Sequence, residues 1–303
     1  MINPKDLPSS ATFQWLDIVN LDQTDIAKLT DTYNLTKTMI GYLTDSNERP
    51  HYDYDAPLNS DLFVYDMPIW SQDESGETHF TAESVKFLVI DNTLLSFHSD
   101  KVNYMFDTLP TTTNTQNLPT FLLNIFLSST QYFHQAIKEL DGVRIKLDAR
   151  INRDITKDEL IDVATVQKSI VYLASSIDNN NLLWQSLQNN QHFIAGQKPL
   201  LAIVDDILIE SNQSIQMITT SQKIIETLSA TANSIMDSNL NDSMKFLTVW
   251  SIILTVPAIM TGFFGMNVGL PFGHSNFDWV TVIIITLIIM MALVAYMKKK
   301  KII

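Results

Sequence analysis

The sequence predicts an α+β membrane protein. An N-terminal α/β domain is followed by a long stalk helix, and the stalk continues into the first of two C-terminal transmembrane helices. Three observations predict this. Roughly the first 115 residues mix short apolar or alternating runs with one helical repeat. From Phe121 onward the pattern is helical. Near the C-terminus, Phe246–Phe264 and Trp279–Met297 are each 19 residues without a charge.

Four runs in the first part have strand character: "TFQWLDIV" (Thr12–Val19), "LFVYDMPIW" (Leu62–Trp70), "VKFLVID" (Val85–Asp91) and "TLLSFHS" (Thr93–Ser99). Asp91-Asn92 is a turn candidate between the last two. "TDIAKLTDTYNL" has helical spacing. The Pro-, Thr- and Asn-rich stretch Thr108–Thr120 breaks the pattern and places the end of an α/β domain at residues 1–117.

A helical hairpin is expected over 118–198. One helix runs from Phe121 to about Arg153, and a second from about Lys157 to Asn189 with Thr156 as its cap. The third helix begins near Pro199, which suits the first helical turn. From Leu200 to Phe264 only Pro257 interrupts it, and no glycine occurs before Gly262. A continuous helix of that length would be about 95 Å long. Such a helix needs neighbours to be stable, which favours an oligomer. The expected segments are a stalk at 199–245, a first span at 246–264, a loop at 265–278, a second span at 279–297 and a basic tail at 298–303.

Spanning a hydrocarbon core takes about 20 apolar residues, so both uncharged stretches are long enough. Lys245 precedes the first and "KKKK" (Lys298–Lys301) follows the second, while residues 265–278 hold no Lys or Arg. The positive-inside rule then puts both termini in the cytoplasm and the loop outside. The N-terminal "MINPKDLPSS" lacks a basic region followed by an apolar one, so no signal peptide is expected there. Trp279 and Tyr296 sit where interfacial aromatics are expected.

The spans differ. In the first, Thr248, Ser251, Thr255, Ala258 and Gly262 recur at three- and four-residue steps and share one helical face. Extended backwards, that face takes in Met244 and Asn241. A small-residue face serves close helix packing or the lining of a water-filled pore built from several subunits, and the stripe alone fits both. Followed further back it passes near Asp237, Ser234, Ala230, Thr227, Lys223, Thr219, Gln216, Asn212 and Asp205-Asp206, a polar path into the cytoplasm. The second span shows no such face and reads as lipid-facing.

The net charge is −13. Residues 1–245 hold 32 of the 33 acids and 16 of the 20 bases, a net of −16. An acidic body of this kind argues against nucleic acid and is compatible with affinity for cations. There is no cysteine, hence no disulfide or thiolate site. No P-loop, G-x-G-x-x-G, H-E-x-x-H or G-x-S-x-G motif occurs. The six histidines, His51, His79, His98, His134, His192 and His274, show no ligand spacing. Nothing supports an enzyme.

The paired spans, the short outer loop, the lysine tail and "GMN" at Gly265-Met266-Asn267 resemble the CorA family of divalent-cation channels. "MKFLTVWSIILTVPAIMTGFFGMN" (Met244–Asn267) is similar to that family's first span throughout, and the likeness covers essentially the whole chain. The resemblance implies a funnel-shaped homopentamer in the plasma membrane. Five first spans would line the pore through Asn241, Met244, Thr248, Ser251, Thr255, Ala258 and Gly262, with the second spans in an outer ring. The implied function is passive influx of Mg²⁺, with Co²⁺ and Ni²⁺ as further substrates. Mg²⁺ would also be a regulatory ligand, closing the channel when bound between cytoplasmic domains; no cofactor is implied.

Gly265, Met266 and Asn267 would form the selectivity filter. Mg²⁺ gives up its water reluctantly, so a ring of Asn267 carboxamides would meet the ion's bound waters. Gly265 is expected to leave the helix with positive φ, as a C-cap glycine does, and Met266 to pack the turn. Asp206, with Asp205 beside it, falls where the family has a regulatory carboxylate between subunits. Asp100 and Asp107 are the candidate partners from the α/β domain. Three features depart from the family pattern. Phe264 replaces the frequent Tyr before the motif, Pro257 sits close to it, and the loop offers only His274 and Asp278 where a glutamate is common. A Zn²⁺ transporter of the same family is therefore an alternative, as is a non-conducting membrane-anchored sensor or scaffold.

Overall fold

The computed structural model describes residues 2–5, 7, 11–72, 78–107, 117–151, 155–189, 191–194, 196–266 and 278–300. The chain divides into two compact units, residues 1–229 and 230–303. In order, the first unit contains β1 (Ile2–Pro4), β2 (Gln14–Val19), α1 (Gln23–Tyr33), α2 (Lys37–Thr44), β3 (His51–Asp55), β4 (Ser60–Gln72), β5 (Thr78–Ile90) and β6 (Thr93–His98). A single 3₁₀ turn (Asp100–Val102) leads into α3 (Asn103–Phe106). Then come α4 (Leu118–Ile151), α5 (Lys157–Asn189), α6 (Gln191–Ile194) and the start of α7 (Lys198–Phe264). The second unit holds the rest of α7 and α8 (Asp278–Lys299).

The strands form one sheet in the order β1-β2-β6-β5-β4-β3. Among the described strands only β2 and β6 pair in parallel, Gln14 opposite Thr93 through Val19 opposite His98. Asp91-Asn92 forms the β5–β6 turn expected of it, with Asp91 at φ 52, a left-handed conformation that Asp and Asn tolerate best after glycine.

Both faces of the sheet are covered, which is why "LFVY" is a continuous apolar run and not an alternating one. On one face Ile18, Leu62, Val64, Leu88, Ile90, Leu95 and Phe97 pack with Leu29 of α1 and Met39 and Leu43 of α2. Two caps fix those helices: Asp22 accepts from the Asp25 N–H at 2.7 Å, and Thr36 Oγ1 from the Met39 N–H at 3.2 Å. On the other face Phe63 and Phe87 meet Phe126 of α4, at centroid distances of 5.7 and 5.1 Å, and Phe126 meets Trp184 of α5 at 4.7 Å.

The β4–β5 hairpin outruns its neighbours, because β3 reaches only Ser60–Val64 and β6 only Lys86–Ile90. Helix α5 supplies partners for the overhang. Asn180 exchanges two hydrogen bonds with the Asp66 backbone at 2.9 and 3.0 Å, and Ser169 Oγ accepts from the Phe80 N–H at 3.1 Å. Pro68 sits in this overhang, where a missing N–H breaks no ladder bond.

Helix α5 occupies the residues expected of it, and α4 starts three residues earlier than expected. Glu159 closes the start of α5 by accepting from the Thr156 N–H at 3.0 Å, and Arg150 of α4 reaches Glu159 and Asp162 at 3.1 and 2.8 Å. In the first unit α7 buries Val204, Ile207, Ser211, Ser214, Ile218, Ser221, Ile225 and Leu228, a strict three-four spacing. The polar path read from the sequence, Asp205-Asp206 through Asn212, Gln216, Thr219, Lys223, Thr227, Ala230, Ser234 and Asp237, is exposed at every position.

Among the described residues, three helices are long and apolar enough to cross a membrane: α5, α7 and residues 279–299 of α8. They differ in what their apolar residues touch. In α5, 39% of the apolar window is buried, with Val166, Ile170, Leu173, Ile177 and Trp184 in the protein core. In α7 and α8 the figures are 0% and 11%. The apolar windows of these two helices are thus largely exposed in the single chain.

Candidate ion pathway

The second part of α7 carries the candidate pathway. Asn241, Met244, Thr248, Ser251, Thr255, Ala258 and Gly262 are all exposed in the single chain. The half-buried residues of the same segment are Val249, Ile252, Ile253, Val256, Pro257, Met260 and Phe264. At 3.6 residues per turn they occupy the opposite side of the helix. Helix α8 likewise has one shaded side, marked by the buried Val282 and Met297, while Ile283, Ile284, Leu287, Ile288 and Met291 are exposed. The stripe of small and polar residues is thus not what packs within the chain. Leu247 and Leu254 flank it on one side and Ile259 on the other, all exposed.

The hydroxyls of the stripe have a fixed polarity. Thr248 Oγ1 donates to the Met244 carbonyl at 2.8 Å and Thr255 Oγ1 to the Ser251 carbonyl at 2.7 Å. Both threonine protons are therefore spent on the helix, and their remaining lone pairs face outward as acceptors. Pro257 has no N–H for the Ile253 carbonyl. The helix runs on to Phe264 nevertheless, with Thr261 Oγ1 donating to the Pro257 carbonyl at 2.9 Å.

Gly265 follows, donating its N–H to the Thr261 carbonyl at 2.8 Å. Its φ is not positive, contrary to the expectation of a left-handed cap; among the described glycines only Gly196 is left-handed. What requires glycine is space, because a Cβ here would stand 2.7 Å from the Thr261 carbonyl oxygen. Met266 does not pack the turn either, being 63% exposed. Asn267 and His274 lie outside the described residues, as does the side chain of Asp278.

The regulatory candidates all belong to the first unit. Asp205 and Asp206 are exposed near the start of α7, and Gln188 of α5 donates to Asp205 at 2.7 Å. Asp100 and Asp107 are exposed at the two ends of the segment formed by the 3₁₀ turn and α3. Among the described residues no group of three or more His, Asp or Glu is placed to hold a metal ion. One chain on its own does not bring these four carboxylates together.

Two features escaped the sequence reading. The first is the set of partners that satisfies His98 in the interior: its Nε2 lies 2.9 Å from Asp17, its Nδ1 2.7 Å from the Ser99 carbonyl, and its ring stacks on Phe106 at 3.8 Å. Asp17 also accepts from Ser96 at 2.6 Å and faces Lys5 at 3.4 Å. Burial raises the Asp17 carboxyl, but the bonds from His98 and Ser96 outweigh it and leave the group below the usual range. The second feature is Asp66, on the hairpin overhang. The available signal was an acid at an inward position of an otherwise apolar strand.

Comparison with known proteins places this arrangement. A family model described as CorA-like Mg²⁺ transporter protein matches residues 10–299. The cobalt/magnesium transport protein CorA of Methanocaldococcus jannaschii is 21% identical over 286 residues, covering 91% of this chain and 87% of that protein. The complete structure of the CorA magnesium transporter from the same organism matches with a TM-score of 0.78 at 20% identity, over 94% of this chain and 90% of that one. The ZntB cytoplasmic domain from Vibrio parahaemolyticus matches with a TM-score of 0.58 at 12% identity, over 75% of this chain and 88% of that domain. At such identities the structural likeness speaks for the fold. The family match runs from the sheet through both apolar helices, and the chain belongs to the CorA family of membrane transporters for Mg²⁺ and other divalent cations, which are not enzymes.

Proposed function

We propose that the chain is one subunit of a homopentameric plasma-membrane channel for Mg²⁺ influx. The exposed stripe from Asn241 to Gly262, opposite the shaded side of α7, carries this reading. A hydrated Mg²⁺ presents the hydrogens of its bound water outward, so a wall that passes it must accept hydrogen bonds. The back-bonded hydroxyls of Thr248 and Thr255 are such acceptors. Five copies of the stripe around an axis would give rings of them, with α8 outside and both termini in the cytoplasm. Gly265 and Met266 would lead to a ring of Asn267 carboxamides that holds the ion without stripping its water. Transport would be passive, driven by the membrane potential at about 2.3 kcal/mol per charge per 100 mV. Internal Mg²⁺ bound by Asp205 and Asp206 together with Asp100 or Asp107 of a neighbouring subunit would hold the channel closed. Co²⁺ and Ni²⁺ would pass by the same route.

The test is flux. Purified protein in liposomes would be given external Mg²⁺ or Zn²⁺, with and without a proton gradient. The channel reading expects Mg²⁺ entry that needs no proton gradient and that Asn267→Ala abolishes. Zn²⁺ entry coupled to protons would favour the Zn²⁺ branch. Folded protein that passes neither ion under any gradient would leave the non-conducting sensor.

A further inference from the structure

Between Glu226 and the uncharged stretch that begins at Phe246, α7 carries three charged residues: Asp237, Asp242 and Lys245. Asp242 and Lys245 neutralise each other in an ion pair at 3.1 Å. Asp237 stands apart from that pair. One turn away on either side lie Asn233, Ser234, Leu240 and Asn241, none of them basic, and among the described residues no cation is paired with it. The next base before it on α7 is Lys223. Every residue from Asn233 to Thr248 is exposed except the half-buried Ile235, so nothing in the chain shields this carboxylate.

The position of Asp237 on the helix is as specific as its charge. It precedes Thr255 by about five helical turns, so the two point the same way, and Asn241, Thr248 and Ser251 share that face. Asp242 lies about 140° round the helix from Asp237 and off the face. The stripe itself carries no formal charge from Asn241 to Gly262. Asp237, one turn before Asn241, is therefore the first charge on this face at its cytoplasmic end.

We infer that Asp237 is the inner charge collar of the ion pathway, a carboxylate that sets how fast divalent cations leave the stripe. The inference rests on the pore reading given above. The neutral stripe offers a hydrated ion hydrogen-bond acceptors and no net attraction. Around a symmetry axis each copy of Asp237 brings an uncompensated negative charge to the same level, and the copies add. A doubly charged ion feels twice the pull of a monovalent one, and an anion is repelled. The collar draws divalent cations out of the stripe and favours them over monovalent ones. It works through space and not by coordination, so its effect must fade as salt shortens the reach of the charge.

The experiment is inward Mg²⁺ current in inside-out membrane patches holding the full-length protein. Mg²⁺ is in the pipette, and the cytoplasmic side is free of Mg²⁺, its ionic strength set by a salt of large organic ions. Asp237→Asn should lower the current about tenfold at 0.01 M ionic strength, where the Debye length is about 30 Å, and less than about twofold at 1 M, where it is about 3 Å. Asp242→Asn removes the same charge from another face and should lower it clearly less. The chain has no cysteine, so Asp237→Cys offers a single thiol that can be modified in the folded, conducting protein. A sulfonate-bearing thiol reagent applied from the cytoplasmic side should raise the current of this variant, and a quaternary-ammonium reagent should lower it. Equal losses in Asp237→Asn and Asp242→Asn, or the same response of Asp237→Cys to both reagents, would overturn the collar while leaving the pore. A well-folded wild type that carries no current would overturn the pore reading itself, and the collar with it.

Discussion

Gly265 donates its N–H to the Thr261 carbonyl at 2.8 Å, and the same oxygen would stand 2.7 Å from any Cβ added at position 265. The atom that closes the end of α7 thus also forbids a side chain there. Gly265→Ala must open this turn, at a local cost of about 1–3 kcal/mol, and Asn267 would be re-aimed. Mg²⁺ flux in liposomes should fall on the order of tenfold, a change of about 1.4 kcal/mol, while the thermal unfolding of the sheet domain is unchanged. Full flux from a well-folded Gly265→Ala protein would show that the turn does not position the motif.

The need for glycine at 265 was legible in the sequence, but its reason was not. A C-terminal glycine suggests a left-handed residue, and only coordinates reveal a close approach at ordinary φ. The long elements were readable because their periodicity is strong: Lys157–Asn189 was placed at its observed bounds and three of the four central strands within two residues, whereas β5 starts seven residues before the expected Val85. The edges were not. β3 is "HYDYD", half-buried at every position, so it carries no apolar alternation to read. α2 has eight residues, too few for a clear repeat. The exposed stripe could be listed from spacing alone. That it faces away from the chain's own packing could not, because that depends on which side of α7 is shaded.

The outward acceptors of the stripe can be removed without changing volume much. Thr255→Val should lower Mg²⁺ flux severalfold, since the ring would then repel the ion's water. Thr286→Val is the control. Thr286 makes the same back-bond, to the Val282 carbonyl at 2.7 Å, but lies on α8. Equal losses in the two variants would mean that the hydroxyls act on helix structure and not on the ion.

Asp206→Ala should weaken inhibition by internal Mg²⁺, requiring severalfold more Mg²⁺ to close the channel. Asp205→Ala should do the same less strongly, because Asp205 already accepts a bond from Gln188. Gln188→Ala separates the two roles, freeing Asp205 without removing a charge. Flux measured against internal Mg²⁺ checks all three. Unchanged inhibition in Asp206→Ala would take that residue out of regulation.

The buried pair of Asp17 and His98 gives a prediction about stability. Its atoms are 2.9 Å apart and both side chains are almost fully enclosed, 3% and 0% exposed. Replacing one partner leaves the other without compensation, which typically costs about 3–5 kcal/mol. Asp17→Asn should therefore unfold at clearly lower temperature or denaturant concentration than the wild type. The pH dependence has a definite sign. The folded-state value of Asp17 lies below the ordinary 3.8, so its contribution is present above about 3.8 and lost as the pH falls below it. Wild-type stability measured in detergent from pH 7 to pH 3 should fall in acid, and the gap to Asp17→Asn should narrow there. A gap that stays constant across this range would mean that the charge on Asp17 contributes nothing, and that packing against Phe106 alone holds His98.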